Sequence, residues 1–433
     1  MPEVRVEEVQ RFMEESLVAG GAPLPEAQAH AALLLHADLV GHFSHGLNRL
    51  ELYFNDMKNG VCDAKAKPVI LKESESTAWV DGCNSLGATT ASFCMDIAIR
   101  KAKEYGVGWV AAKRCNHFGM AGYWAIKAER HGLIGMAYTN SAPIMVPTRA
   151  KNSSNGTNPI SMACPAAGGD SLVVDMATTA AAMGKVEVQI KKGEKIPEGW
   201  ALGPDYKPTT DPQVAFDSSR LMPLGGPEET SGYKGYALST MVEVFCSGLS
   251  GASPTHKVPM WTYTQQDPPN LGQCFVAVDP QRFAPGFGHR IKECLDHYRS
   301  MEPIDPSLPV LVPGDKEKQN QEASRLRGAS PTHKVPMWTY TQQDPPNLGQ
   351  CFVAVDPQRF APGFGHRVKE CLDHYRSMEP IDPSLPVLVP GDKEKQNQES
   401  SRLRGTIVYP QGQIDTYMKL AQRIGVKPLQ VLD

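Results

Sequence analysis

"GVGWVAAKRCNHFGMAGYW", residues 106–124, decides the fold. Gly106, Gly108 and Ala111 satisfy the glycine pattern of a dinucleotide-binding loop, whereas Asn116-His117-Phe118-Gly119 reads as a histidine held on a turn. A dinucleotide fingerprint follows a strand and opens a helix, so that the pyrophosphate meets the helix N-terminus. Here the order is reversed. "ASFCMDIAIRKAKEY" has the spacing of a helix, Gly106 and Gly108 stand at its C-terminal stop, and "WVAAK" is the strand that follows. His117 then falls between the end of that strand and the start of the helix "AGYWAIKAERHG", and strand ends are where ligands gather in α/β folds. Asn116 is suited to bond its own turn, and Gly119 to bring backbone close to a ligand.

Outward from this stretch the chain alternates. Helical stretches at 88–105 and 120–131 are interleaved with the short apolar runs "GWVAA", "LIGMAYTN", "PISMACPA" and "SLVVDMA", which predicts an α/β domain. "GYKGYALSTMVEVFCSGLSG" reads as one long core helix. The first 60 residues are helical in pattern: Val9, Phe12, Met13 and Leu17 share a face, Pro25 suits a first helical position, and "EAQAHAALLLHADLV" continues as a buried helix. "FSHGLNRLELYFNDMKNG" offers Ser44 as an N-cap and Asn59-Gly60 as a stop. These patterns divide the chain into a helical part at 1–75, a central α/β part at 76–404 and a helical C-terminal segment at 405–433.

His45 and Arg49 lie four apart on the helix that Ser44 would cap, so their side chains leave one face. An imidazole exchanges a proton near neutral pH, and a guanidinium holds a carboxylate through two parallel bonds. A helix N-terminus would also lower the histidine's pKa. The alternative is an ordinary solvated pair, and His42 is read as surface.

Residues 251–327 recur as 328–404, with differences only at Ile291/Val368 and Ala323/Ser400. Each copy holds one strand, one helix and a proline-rich tail with "VLVPGD", so one domain has no room for both in the same role. The expectation is that one copy completes the core while the other protrudes, or that the start of the first and the end of the second share the task.

Composition narrows the class. A chain of 433 residues, 41% hydrophobic and 21% charged, is globular and long enough for two or three domains. A net charge of −3 with scattered Lys and Arg offers no field for nucleic acid. No apolar run nears the roughly 18 residues of a membrane span, and "MPEVRVEEVQRF" is acidic where a secretory signal would be basic and then apolar. Ten cysteines without a CxxC read as reduced thiols in a cytoplasmic compartment.

"GHFSHGLNRL", "NHFGMAGYW", "GTNPISMACPA", "LVVDMATTAAAMGKVEVQIKKGEKIPEGWAL" and "GYKGYALSTMVEVFCSGLSGA", in this order, resemble the type 2 malate/L-lactate dehydrogenase family, whose relatives include sulfolactate, ureidoglycolate and diketogulonate enzymes. The likeness runs through nearly the whole chain once one 77-residue copy is set aside. It implies a non-Rossmann NAD(P)-binding α/β fold with a mixed sheet, a helical N-terminal domain and a completing C-terminal helix, working as a homodimer without metal on a small 2-hydroxy or 2-oxo acid.

Carried onto this sequence, the resemblance makes His117 and His45 the acid/base residues, with His117 favoured as the proton carrier, and puts Arg49 and Ser44 on the substrate. NAD or NADP would meet Ser141, the run Asp175, Met176, Ala177 and Thr178, and Lys234-Gly235. A further contact would fall at Pro390, Gly391 and Asp392, or at their twins Pro313, Gly314 and Asp315. Asp175 ends an apolar run where a carboxylate accepts bonds from a ribose; Lys234 stands at a helix start suited to an anion. The alternatives are a cyclic imino-acid reductase of the same family, and a non-catalytic protein whose site the extra segment blocks.

Overall fold

The computed structural model describes residues 5–261, 264–326 and 350–392, with scattered positions beyond. Two compact units result, Met1–Val387 and Leu388–Asp433. In the second, Gly391 turns the chain at φ 91° and the Val389 N–H donates to the Asp392 carboxylate at 3.2 Å. The expected helical segment at 405–433 falls almost wholly outside the described residues.

The first unit begins with helices α1 (Val6–Gly20), α2 (Leu24–Leu39) and α3 (Leu50–Lys58). Met13, Leu17, Ala27, Ala31, Leu34, Leu50 and Tyr53 form their shared core. The helical part ends earlier than the sequence pattern implied, because strand β1 (Val69–Glu73) already lies within residues 1–75. Then follow β2 (Thr77–Asp81), α4 (Gly87–Tyr105), β3 (Val107–Cys115), α5 (Ala121–Glu129), β4 (Ile134–Thr139), β5 (Ile160–Pro165) and β6 (Ser171–Met176). After these come α6 (Met183–Lys192), a small hairpin of β7 (Ala201–Leu202) and β8 (Pro208–Thr209), α7 (Pro212–Ser218), α8 (Gly232–Glu243) and β9 (Leu271–Val278). The main sheet runs β1-β2-β3-β9-β4-β5-β6, and β2–β3 is its parallel pair, the other neighbours being antiparallel. This is a mixed α/β domain without a doubly wound parallel sheet.

The glycines of the opening stretch have structural tasks. Gly106 caps α4 at φ 92°, its N–H on the Ala102 carbonyl at 2.8 Å. A Cβ on Gly108 would lie 2.1 Å from the Ala98 carbonyl oxygen, so glycine lets β3 pack directly on α4. No helix opens after them, which closes the dinucleotide-loop reading. The long helix of the sequence reading is also interrupted: α8 passes into a π-turn at Val244–Gly248.

The tandem copies take different places. The first supplies β9 in the middle of the sheet, where Phe275 is fully buried, then α9 (Phe287–Arg299) against β6 and α10 (Asp315–Leu326) beside α2. In the second, Gln350–Val355 has the same sequence but is no strand, and Phe352 is 88% exposed. Its helix α11 (Phe364–Arg376) packs on the π-turn. The first copy thus completes the core as expected, and the expectation that the other merely protrudes is corrected. One interior strand slot exists and the first copy fills it, yet the second copy's helix finds a separate apolar surface.

Candidate active site

The expected helix under His45 and Arg49 is not there. Residues 42–46 form a turn and Leu47–Arg49 a 3-10 segment, so α3 starts only at Leu50. Ser44 caps nothing; its hydroxyl meets His45 Nδ1 at 2.9 Å. The turn is braced by Asp38, whose carboxylate accepts the Leu47 N–H at 2.9 Å. Burial pushes that carboxyl up to about 6. Arg49 folds back, with Nε on the Ser44 carbonyl at 2.8 Å and Nη2 on Glu187 of α6 at 3.0 Å.

His117 sits on the loop between β3 and α5, tied by Asn116, whose amide donates to Asn84 and Ser85 instead of to its own turn. Gly119, at φ 73°, leaves room for Leu33, not for a ligand: a Cβ would lie 2.7 Å from that side chain. The His117 ring stacks between His45 (centroids 6.0 Å apart) and Trp261 (4.2 Å). Its Nδ1 receives the Gly119 N–H at 3.3 Å and meets the Tyr53 hydroxyl at 2.5 Å. An Nδ1 that accepts a backbone N–H carries no proton, so Tyr53 donates too and the ring proton is on Nε2.

Burial holds both imidazoles neutral. His45 is brought down to about 3 by burial first and by the Arg49 charge second, and His117 well below its ordinary value by the same two causes with His45 between them. The cause is burial and not a helix N-terminus. These residues line a cavity of 180 Å³ with Asp56, Ser141, Thr157, Glu187 and Met260. Asp56, which accepts the Trp261 indole N–H at 2.9 Å, is pushed up to about 6 by burial. Ser141 Oγ accepts the Thr157 N–H at 3.0 Å.

Of the other expected cofactor residues, Asp175 and Met176 line a second groove of 350 Å³ with His36, Arg130, Pro313, Gly314, Glu317 and Lys318. Its lining mixes the cations Arg130 and Lys318 with the carboxyls of Glu129, Asp175 and Glu317, and it holds a buried His36 Nε2 without a protein partner. Asp175 is pushed up to about 6 by burial, partly offset by a bond from the Gly122 N–H at the start of α5. His42, read as surface, meets Glu317 of α10 at 3.2 Å. Ala177 is half-buried, and Thr178 is buried with its hydroxyl on the carbonyls of Thr157 (2.9 Å) and Asn158 (3.1 Å). Lys234 is exposed in the first turn of α8, and Gly235 is buried against Leu224; neither lines the histidine cavity. Pro313-Gly314 lies on Val173 of β6, whereas Pro390-Gly391-Asp392 belongs to the other unit.

Asp56, Glu187 and Trp261 line the cavity and Tyr53 is bonded to His117; none of the four was singled out in the sequence. Tyr53 had a signal, four residues after Arg49 on the continuing helix; Glu187 and Trp261 come from distant segments and had none. Among the described residues, no group of three or more His, Cys, Asp or Glu could hold a metal ion, and no helix is long and apolar enough to cross a membrane. All ten cysteines are free.

A family model described as malate/L-lactate dehydrogenase matches residues 4–335 and 323–416. L-sulfolactate dehydrogenase of Methanocaldococcus jannaschii is 37% identical over 303 residues, 70% of this chain and 85% of that protein. Malate dehydrogenase of Pyrococcus abyssi is 34% identical over 331 residues, 76% of this chain and 90% of its own. The solved structure of the M. jannaschii sulfolactate dehydrogenase superposes with a TM-score of 0.67 at 35% identity, covering 74% of this chain and 90% of that one. Fold, pocket and likeness together define an oxidoreductase. The chain belongs to the malate/L-lactate dehydrogenase family.

Proposed function

We propose that the protein transfers hydride reversibly between a nicotinamide cofactor, NAD or NADP, and C2 of a small 2-hydroxy or 2-oxo acid of malate or lactate size. One observation carries this reading: two neutral imidazoles and a guanidinium face a single cavity of 180 Å³. Arg49 holds the acid's carboxylate. Its Nε and Nη2 are engaged by Ser44 and Glu187, which fix the plane of the guanidinium and direct Nη1 to the ligand. Ser44 supports both the guanidinium and the His45 ring.

The two histidines divide the work. His117, with Nδ1 occupied by two donors, keeps its proton on Nε2 and donates to the oxygen on C2, polarising it. His45 faces a hydroxyl that can donate or accept, so its protonation is free to change. This argues for His45 as the proton carrier, in place of the His117 favoured by the sequence. An incoming carboxylate offsets the Arg49 charge and raises the proton affinity of His45, which couples proton uptake to substrate binding.

The residues fit a nicotinamide dinucleotide, which supplies or accepts the hydride when bound. Ser141 would hold it in the cavity, and Asp175, Met176 and the Pro313-Gly314 turn in the second groove, with Ala177 following on the chain and the Thr178 hydroxyl tied to the Thr157 and Asn158 carbonyls. Lys234 and Gly235 would serve as an anion contact at the start of α8. The free cysteines accord with a reducing, cytoplasmic compartment.

Steady-state assays of His45→Gln and His117→Gln with 2-oxo acids, beside cyclic imino acids and with both nicotinamides, test the reading. Turnover with the oxo acid is expected to fall by about 10²–10⁴ in each variant, with reduced-cofactor binding by fluorescence unchanged. Parent turnover in both variants, or activity with cyclic imino acids alone, contradicts it.

A further inference from the structure

The histidine cavity is charged unevenly along its length. Arg49, Tyr53 and Asp56 follow one another at intervals of four and three, the spacing of one helix face, so that Arg49 and Asp56 stand about 10 Å apart along the axis of α3. Tyr53 lies between the two charges: burial foremost raises the proton affinity of its hydroxyl, Asp56 adds to that and Arg49 opposes it. Trp261 joins the reacting histidine to the acidic end. Its ring stacks on His117 at 4.2 Å, and its indole N–H donates to Asp56 Oδ2 at 2.9 Å.

The lining offers no second cation. Among the described residues Arg49 is the one cation that lines the cavity, and it is paired with Glu187 at 3.0 Å. Lys185, whose charge reaches His45, does not line it. Val61, Val258, Pro259, Met260 and Leu271 make much of the remaining wall apolar. Asp56 is 6% exposed, and its Oδ1 has no hydrogen-bond partner among the described residues. Malate and sulfolactate, for which relatives of this chain are named, each carry two anionic groups. With Arg49 holding the first, a second anion would meet an unneutralised carboxylate in a buried site, where like charges are costly to oppose.

We infer that Asp56 selects the far end of the substrate: the protein takes 2-hydroxy or 2-oxo acids with a single carboxylate and an uncharged substituent that donates an N–H or O–H to Asp56 Oδ1, and turns away acids with a second anion. The inference rests on the hydride-transfer reading above, with the acid's carboxylate on Arg49. No proton or hydride passes through Asp56; it sets specificity. In Asp56→Asn the amide oxygen keeps the Trp261 bond while the NH2 group takes the place of Oδ1, which turns that position from acceptor to donor.

Initial rates with reduced cofactor at pH 8, where the Asp56 carboxyl is ionised, compare oxaloacetate with 2-oxosuccinamate, its amide of equal size without the second charge. The parent is expected to favour the amide in kcat/KM by about 10², the scale of an opposed like charge. In Asp56→Asn that ratio is expected to fall below about 10, mainly through a gain on oxaloacetate. A merely structural role for Asp56 would lower both rates together and leave the ratio where it was. A parent that prefers oxaloacetate or 2-oxobutanoate to the amide, or a ratio unchanged in folded Asp56→Asn, would overturn the inference and leave hydride transfer to 2-oxo acids standing. Turnover of none of the three acids would contradict the hydride-transfer reading itself, and the inference with it. Should Asp56→Asn fail to fold, the parent's order of the acids still decides.

Discussion

At the scale of single residues, the account turns on which atoms around the cavity hold protons. Tyr53 touches no reacting atom; it acts by donating to His117 Nδ1, and so is a positioning residue. Tyr53→Phe is expected to lower turnover about 10-fold, the worth of one hydrogen bond to an active-site group, while the KM for the acid moves little. His45 titrates differently. Because substrate binding draws a proton onto it, kcat/KM for an oxo acid is expected to fall as the pH rises, with a slope approaching −1, and His45→Gln is expected to flatten that limb. A profile unchanged in His45→Gln would return the proton to His117. The sequence offered both histidines and Arg49 through residue type and motif, but assigned them to one helix face. It could not do better, because the 42–46 turn is set by Asp38, a bond from a neighbouring helix that no local spacing announces.

At the scale of elements, the alternation of helical and apolar runs was legible, since helices packed on a buried sheet must repeat their apolar residues at distinct periods. α4, β3, α5, β4, β5 and β6 fall where those periods put them. The strand order was not legible: β9 is inserted between β3 and β4 from far along the chain, a long-range pairing without a local signature. The helical N-terminal layer carries its own prediction. His30 of α2 is fully buried, edge-on to Tyr53 at 4.2 Å, with neither ring nitrogen bonded to protein, and burial brings its pKa down to about 3. Folded His30 therefore resists the proton that the unfolded chain accepts below 6.5, so its contribution is complete above that pH and is lost as the pH falls toward 3. Between pH 8 and pH 5 the parent is expected to lose about 2 kcal/mol more unfolding free energy than His30→Phe. Urea unfolding at the two pH values checks it; equal losses would show that His30 does not govern acid stability.

At the scale of the whole molecule, identical sequence has two fates. "NLGQCFVAV" is an interior strand at 270–278, whereas residues 350–355 of its repeat are not strand, so the neighbours and not the residues decide. Phe275→Ala is accordingly expected to cost about 3–5 kcal/mol, as for a large side chain removed from a core. Phe352→Ala is expected to change stability by no more than about 0.5 kcal/mol. Equal costs would mean that the two strands exchange places. The most direct test of the central claim, that a histidine–arginine cavity outside any glycine loop performs the chemistry, is a crystal structure with reduced nicotinamide cofactor and a non-reacting 2-oxo acid analogue. The account predicts the analogue's carboxylate on Arg49 with its 2-oxo oxygen at His117 Nε2 and His45; a dinucleotide whose diphosphate rests at Gly106 and Gly108, with the analogue elsewhere, would contradict it.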